Sequence, residues 1–182
     1  ETDIHATKDN EFICFHDFTL NRIFRKKASV KNLKYSKIKA ISSKNKKTVP
    51  LLKDLLKISK NKQFLFIELK PTFSKKILQK LLKETSRYKK CVFISFKHKN
   101  IYNLLKIKSN VKVGLSFSSA ASTKKIIEKS NNKNINYLIL DKCFLKNKNI
   151  QNLKIKKYYY TIKTKLEFNK YYKKNNLIFE NL

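Results

Sequence analysis

The chain has 182 residues, 41% of them hydrophobic, which is enough for one domain with a buried core. Its 44 Lys+Arg against 12 Asp+Glu give a net charge of +32, a balance that draws phosphate-bearing ligands. Only Arg22, Arg25 and Arg87 are arginines, the lysines run through the whole chain, and Gly114 is the single glycine, so the composition fits an A/T-rich codon bias and a solvated lysine surface, and it excludes any glycine-rich phosphate loop.

Residues 1–6 and 12–16 read as strands joined by a tight turn, and the lysine-rich stretch 42–47 reads as a loop. Pro50 opens a short helix with Leu51, Leu52, Leu55 and Leu56 at helical spacing. A strand over 64–69 is stopped by Pro71, and Phe73, Ile77, Leu78, Leu81 and Leu82 share one face of a helix over 73–88. Strands over 91–95, 111–115, 135–140 and 155–162 then alternate with helices near 98–107, 119–129, 147–153 and 164–174, and a last strand covers 177–179. This β-then-α rhythm with short connections predicts a parallel sheet with right-handed crossovers. Strands apolar at nearly every position predict a sheet covered on both faces. The pattern suits an α/β fold, either a doubly wound sheet or a (β/α)8 barrel, and about seven βα units are visible, one short of closure. No apolar stretch is long enough to cross a membrane as a helix. Cys14, Cys91 and Cys143 have neither metal-ligand spacing nor an even count, which fits a reducing compartment such as the cytoplasm.

Alternate residues of a strand share a face, so Glu1, Asp3 and His5 point one way. Two carboxylates on one barrel-interior face repel unless a cation sits between them, and hard oxygen ligands suit Mg²⁺ or Ca²⁺. The other reading is a solvated chain end whose acids do nothing. His16-Asp17 follows an apolar strand, at the sheet edge where active sites lie in both barrels and open sheets. There His16 is either a general acid/base or a structural histidine, and Asp17 either orients it or caps the next segment. His5 reads as a barrel-interior hydrogen-bonding residue and His98 as an exposed residue at a helix start. Glu68 and Lys70 share a strand face just before Pro71. They form either an ion pair or a third metal carboxylate with a phosphate-binding lysine beside it.

Together these pieces resemble the glycerophosphodiester phosphodiesterase family. The resemblance rests on Glu1-Thr2-Asp3, Thr7-Lys8-Asp9-Asn10, His16-Asp17 and Leu20-Asn21-Arg22, then on Val49-Pro50-Leu51-Leu52 and Phe66-Ile67-Glu68-Leu69-Lys70. Ser95-Phe96 and Tyr160-Thr161-Ile162 are weaker matches further on. Asn10 stands where the family has glycine, and Asn tolerates the left-handed conformation that such a turn needs. The resemblance implies a TIM-type (β/α)8 barrel over 1–182 as a single domain, lacking its first strand and helix and its last helix. It implies hydrolysis of a small-molecule glycerophosphodiester to glycerol 3-phosphate and an alcohol. Glu1, Asp3 and Glu68 would hold a divalent cation, Mg²⁺ or Ca²⁺, Lys70 would bind the phosphoryl oxygens, and His16 would be one of two acid/base histidines. The family carries the second histidine in a His-Arg-Gly strand upstream of Glu-x-Asp, so residues 1–182 alone are expected to be inactive or nearly so. At the far end Lys163 and Glu180-Asn181 depart from the family pattern, and no site residue is carried over there.

The alternative class is a non-catalytic basic module that binds nucleic acid or an anionic membrane. Convergence of Glu1, Asp3 and Glu68 discriminates the two, because a polyanion binder has no use for clustered carboxylates. The resemblance favours the enzyme, with no specific nucleic-acid partner and no transmembrane segment.

Overall fold

Side chains on both faces of the central strands are apolar, and the sheet they build is covered on both faces. The computed structural model describes residues 1–180; Asn181 lies outside the described residues. Strand β1 (Thr2–Ala6) turns back as β2 (Phe12–Cys14), and α1 (Asn21–Phe24) and α2 (Tyr35–Lys44) follow. Helix α3 (Leu52–Ser59) leads to β3 (Leu65–Leu69). From there helix and strand alternate: α4 (Lys75–Glu84), β4 (Cys91–Ser95), α5 (His98–Ile107), β5 (Val113–Phe117), α6 (Thr123–Ser130) and β6 (Tyr137–Asp141). The last elements are α7 (Lys148–Gln151), β7 (Lys156–Ile162), α8 (Lys165–Tyr171) and β8 (Asn176–Phe179).

All eight strands form one sheet in the order β2-β1-β3-β4-β5-β6-β7-β8. Only β2 runs antiparallel to its neighbour, so the described residues supply seven parallel strands of a TIM-type (β/α)8 barrel. The sheet is strongly curled. In a flat sheet β3 and β7 would lie four strand spacings apart, about 19 Å. Here the Phe66 ring of β3 packs against Tyr158 of β7 with centroids 4.7 Å apart, and against Tyr137 of β6 at 5.4 Å. Inside the curl lie Phe66, Val92, Ile94, Tyr137 and Ile139. The alternate residues, among them Ile67, Leu69, Phe93, Leu115 and Leu138, pack outward with Leu78, Leu81, Ile101, Leu104 and Ile126 of the helices.

Several boundaries differ from the sequence expectation. Helix α2 continues to Lys44, so the loop expected over 42–47 begins later; Ile38 and Ser42 are its buried residues, and a face that narrow among lysines and serines gives little periodic signal. Helix α4 starts at Lys75 rather than 73 because the Ser74 side chain caps it, accepting from the Ile77 amide. Strands β5 and β6 begin two residues later than their apolar runs suggest. Ile13 of β2 and the residues between β2 and α3 build a second small core, with Leu20, Phe24, Val30, Ile38, Val49 and Leu51. This core holds the segment that carries His16 and Asp17.

The single glycine has a steric reason. A Cβ at Gly114 would lie 3.0 Å from both the Tyr137 Cβ and the Tyr137 carbonyl oxygen, and 3.2 Å from Ile94 Cγ2. The backbone oxygen cannot yield, so Gly114→Ala is expected to cost about 1–3 kcal/mol by overpacking. Urea denaturation checks this, and a wild-type midpoint for the variant would contradict it.

Candidate active site

Register brings the acids together. Asp3 of β1 sits directly opposite Glu68 of β3, and Glu1 lies two residues before Asp3 on the same strand face. Carboxylate oxygens of Glu1, Asp3 and Glu68 all lie within 4.8 Å of one another. Lys70 reaches back over them, donating to Glu68 Oε1 at 2.9 Å and pairing with Asp3 Oδ1 at 3.3 Å. Glu68 and Lys70 are an ion pair, and Glu68 is the third acid of the cluster.

Local folding delivers His16 to the same edge. The turn Thr7–Asn10 reverses the chain with Asn10 at φ 60°, and Thr7 Oγ1 donates to Asp9 Oδ1 at 2.6 Å. The Asp9 carboxylate in turn accepts from the Tyr35 amide at 3.0 Å, which ties the turn to the start of α2. The Phe15 amide donates to the Asp3 carbonyl at 2.9 Å, so the residue before His16 is fixed against the acid strand. His16 Nδ1 lies 2.8 Å from Asp17 Oδ1, and Arg22 grips the same carboxylate through Nε at 2.7 Å and Nη2 at 2.9 Å. Asp17 therefore orients His16. The Arg22 hydrogen bonds hold its carboxyl down at about 2, so it stays ionised and accepts a hydrogen bond from Nδ1–H, which leaves Nε2 free. His5 turns away from the cleft: its Nε2 lies 3.3 Å from the His16 carbonyl, its ring meets Phe18 edge-on, and burial pushes its pKa down. His98 does start α5, yet it is half-buried rather than exposed, with Nε2 3.0 Å from the Ser116 carbonyl and its ring against Phe117.

The acids and His16 line one wall of a cleft of about 560 Å³. Ile94 and Ile139 are also in its lining, and the opposite wall comes from β7, β8 and the residues just past their ends, with Tyr160, Lys163, Phe179 and Glu180. Tyr160 donates to the Phe117 carbonyl at 3.0 Å, and its ring meets Phe96 edge-on. Lys163 pairs with Glu180 at 3.3 Å. Sequence reasoning assigned nothing to this wall; the only pointer was the weak match at Tyr160-Thr161-Ile162. Another hollow, of about 230 Å³, lies against Tyr88, Cys91, Val111 and Lys112, and no His, Asp or Glu lines it.

Electrostatics follow from the crowding. Glu1 is exposed over the whole residue, yet its carboxyl lies in the cleft, where burial and then the Asp3 charge push it up to about 7. Burial also raises Glu68, and the contact with Lys70 offsets only part of that. For Lys70 burial alone would lower the pKa, but the hydrogen bond and charge of Glu68, joined by Asp3, hold it above the ordinary lysine value. The arrangement can take a cation among three oxygens, present an ammonium to an anion and move a proton through an imidazole. An acidic cluster, a lysine and a histidine at the C-terminal edge of a curled parallel sheet define a TIM-type barrel enzyme.

Comparison with known proteins gives the family. The model of the glycerophosphoryl diester phosphodiesterase family matches residues 1–165. Among solved structures, a glycerophosphodiester phosphodiesterase from Thermotoga maritima superposes with a TM-score of 0.79 at 16% identity, covering 98% of this chain and 79% of that one. One from Parabacteroides distasonis gives 0.75 at 18% identity, covering 98% and 77%. An Oleispira antarctica phosphodiesterase in complex with the product sn-glycerol-3-phosphate gives 0.80 at 17% identity, covering 98% and 78%. No curated protein matches the sequence. The chain belongs to the glycerophosphoryl diester phosphodiesterase family.

The Asp17 pairing has a pH signature. Its folded pKa lies below the unfolded value, so its contribution is present above about pH 4 and lost as pH falls towards 2. Asp17→Asn is expected to cost about 1 kcal/mol at pH 7. Urea midpoints should show the difference shrinking between pH 4 and pH 3, and a pH-independent difference would refute the assignment.

Proposed function

We propose that the chain is a divalent-cation-dependent phosphodiesterase that hydrolyses small glycerophosphodiesters to glycerol 3-phosphate and an alcohol. The convergence of Glu1, Asp3 and Glu68 carries this reading. Their oxygens form a hard donor set suited to Mg²⁺ or Ca²⁺, and Lys70 supplies one positive charge against three acids, so the residues fit a dication. Glu1, Asp3 and Glu68 would hold it, and there it would supply Lewis-acid polarisation of a phosphoryl oxygen and orient the diester. With the acids neutralised, the Lys70 ammonium is free to turn to the phosphoryl oxygens and offset the charge that develops on them. His16, its Nδ1 tied to Asp17, moves the proton at Nε2. Water adds at phosphorus, the P–O bond to the alcohol breaks, and the alcohol leaves with a proton. The product-bound Oleispira antarctica structure supports glycerol 3-phosphate as the product.

Residues 1–182 act in this reading as one catalytic domain. No helix among the described residues is long and apolar enough to cross a membrane. The three cysteines are free, which supports placement in the cytoplasm. The lysine-rich surface serves to draw an anionic diester rather than a specific nucleic acid.

Release of glycerol 3-phosphate from glycerophosphocholine or glycerophosphoethanolamine, by a chain that also supplies the second proton-transfer group, tests the proposal, since residues 1–182 alone are expected to be nearly inactive. A chelator should abolish turnover, and Mg²⁺ or Ca²⁺ should restore it. His16→Ala should lower kcat by about 100-fold or more while leaving cation binding intact. Full cation-dependent turnover in that variant would remove His16 from the mechanism, and turnover unaffected by chelation would remove the metal. Among the described residues His16 is the one histidine on the cleft, so a chain that also supplies a second proton-transfer group should turn over faster than residues 1–182 alone.

A further inference from the structure

Lys70 lies just past the last residue of β3, where the parallel ladder ends. Main-chain pairing between β3 and β4 runs from Leu65↔Cys91 to Glu68↔Ile94 and stops there. On the β1 side Lys70 keeps a single backbone bond, from its amide to the Ile4 carbonyl at 3.3 Å. The segment carrying the cluster's ammonium would be free to swing if nothing else held it.

Two fully buried polar side chains hold it from the helix side of the sheet. Ser95 donates to the Leu69 carbonyl at 2.7 Å, in place of the missing ladder bond, and accepts from the Lys97 amide at 3.0 Å. Asn100, in the first turn of α5, donates from Nδ2 to the Pro71 carbonyl at 2.8 Å and to Ser95 Oγ at 3.3 Å, and its Oδ1 accepts from the Phe73 amide at 2.9 Å. Every hydrogen-bonding site of the Ser95 hydroxyl is used, and so are both amide protons of Asn100. The backbone partners are Leu69, Pro71 and Phe73, on both sides of Lys70. Neither side chain reaches the cleft: Ser95 and Asn100 are absent from its lining, whereas Glu68, Lys70, Ile94 and Phe96 are part of it.

We propose that Asn100 and Ser95 are positioning residues for the carboxylate–lysine site. They clamp the backbone around Lys70 and so set its reach to Glu68 and Asp3 and the shape of the donor set beside it. This rests on the phosphodiesterase reading for its consequence in cation binding, but the clamp itself does not.

The test uses Asn100→Ala and the milder Ser95→Ala in the full chain, with two readouts besides activity. Calorimetry with Mg²⁺ or Ca²⁺ alone should show affinity falling ten-fold or more, as for other groups that hold metal ligands from behind. Amide hydrogen exchange should accelerate about ten-fold or more at Lys70 while β5 and β6 exchange at the wild-type rate. A lower melting temperature with unchanged cation affinity and unchanged Lys70 exchange would overturn the proposal, since it describes a merely structural role. If Asn100→Ala does not fold, Ser95→Ala decides. A wild-type chain that neither binds the cation nor turns over a diester would fail the phosphodiesterase reading, and Lys70 exchange in the variants would still decide the clamp.

Discussion

Repulsion among Glu1, Asp3 and Glu68 is the constraint on which the rest of the site depends. Two carboxylates 4.8 Å apart at an effective dielectric of about 20 repel by roughly 3 kcal/mol per pair, and three acids make three such pairs. Lys70 relieves part of this through Glu68 and Asp3; burial first, and the neighbouring carboxylates after it, raise the pKa values of Glu1 and Glu68. A chain selecting only for stability would replace these acids. Their convergence at a mouth lined by His16 makes sense when the negative charge has a use, and in the proposed function that use is neutralisation by a dication.

Charge works at two ranges. Far from the cleft, +32 favours the approach of any anion. At the cleft the sign reverses, because four of the chain's twelve acids line it: Glu1, Asp3 and Glu68 gather against Lys70 on one wall, and Glu180 pairs with Lys163 on the other. A bare phosphodiester would meet repulsion at the acids themselves. In the proposed function, a dication held by the three acids would reconcile the long-range attraction with the local rejection. Lys70 is paired with both Glu68 and Asp3.

What could be read from the residues follows local periodicity, and what could not depends on contacts between distant segments. Period two placed Glu1 and Asp3 on one face and Glu68 with Lys70 on another. That Asp3 lies opposite Glu68 is a matter of register, and nothing local specifies it; the resemblance to a family implied only that the acids meet. Helix α2 escaped because a helix with Ile38 and Ser42 as its buried residues, set among lysines, has too narrow an apolar face. His98 looked exposed because its partner, the Ser116 carbonyl, belongs to the next strand. Lys163 and Glu180 read as departures from a pattern, yet both line the cleft.

The far wall reaches the acids through the curl, and the curl depends on interior packing. Phe66 on β3 touches Tyr137 on β6 and Tyr158 on β7, which draws strands otherwise about 19 Å apart around one aromatic cluster. One layer further towards the C-terminal edge on the same faces stand Glu68, Ile139 and Tyr160, all on the cleft. Tyr160 feels the result directly: burial comes first in raising its pKa, and the charges of Asp141 and Glu68 add to it. Gly114 belongs to the same device, since β5 passes between Ile94 and Tyr137 with no room for a Cβ. A substitution that flattened the curl would therefore move Tyr160 and Lys163 away from Glu68 without touching any residue of the site, and the cleft would open while its carboxylate cluster stayed whole.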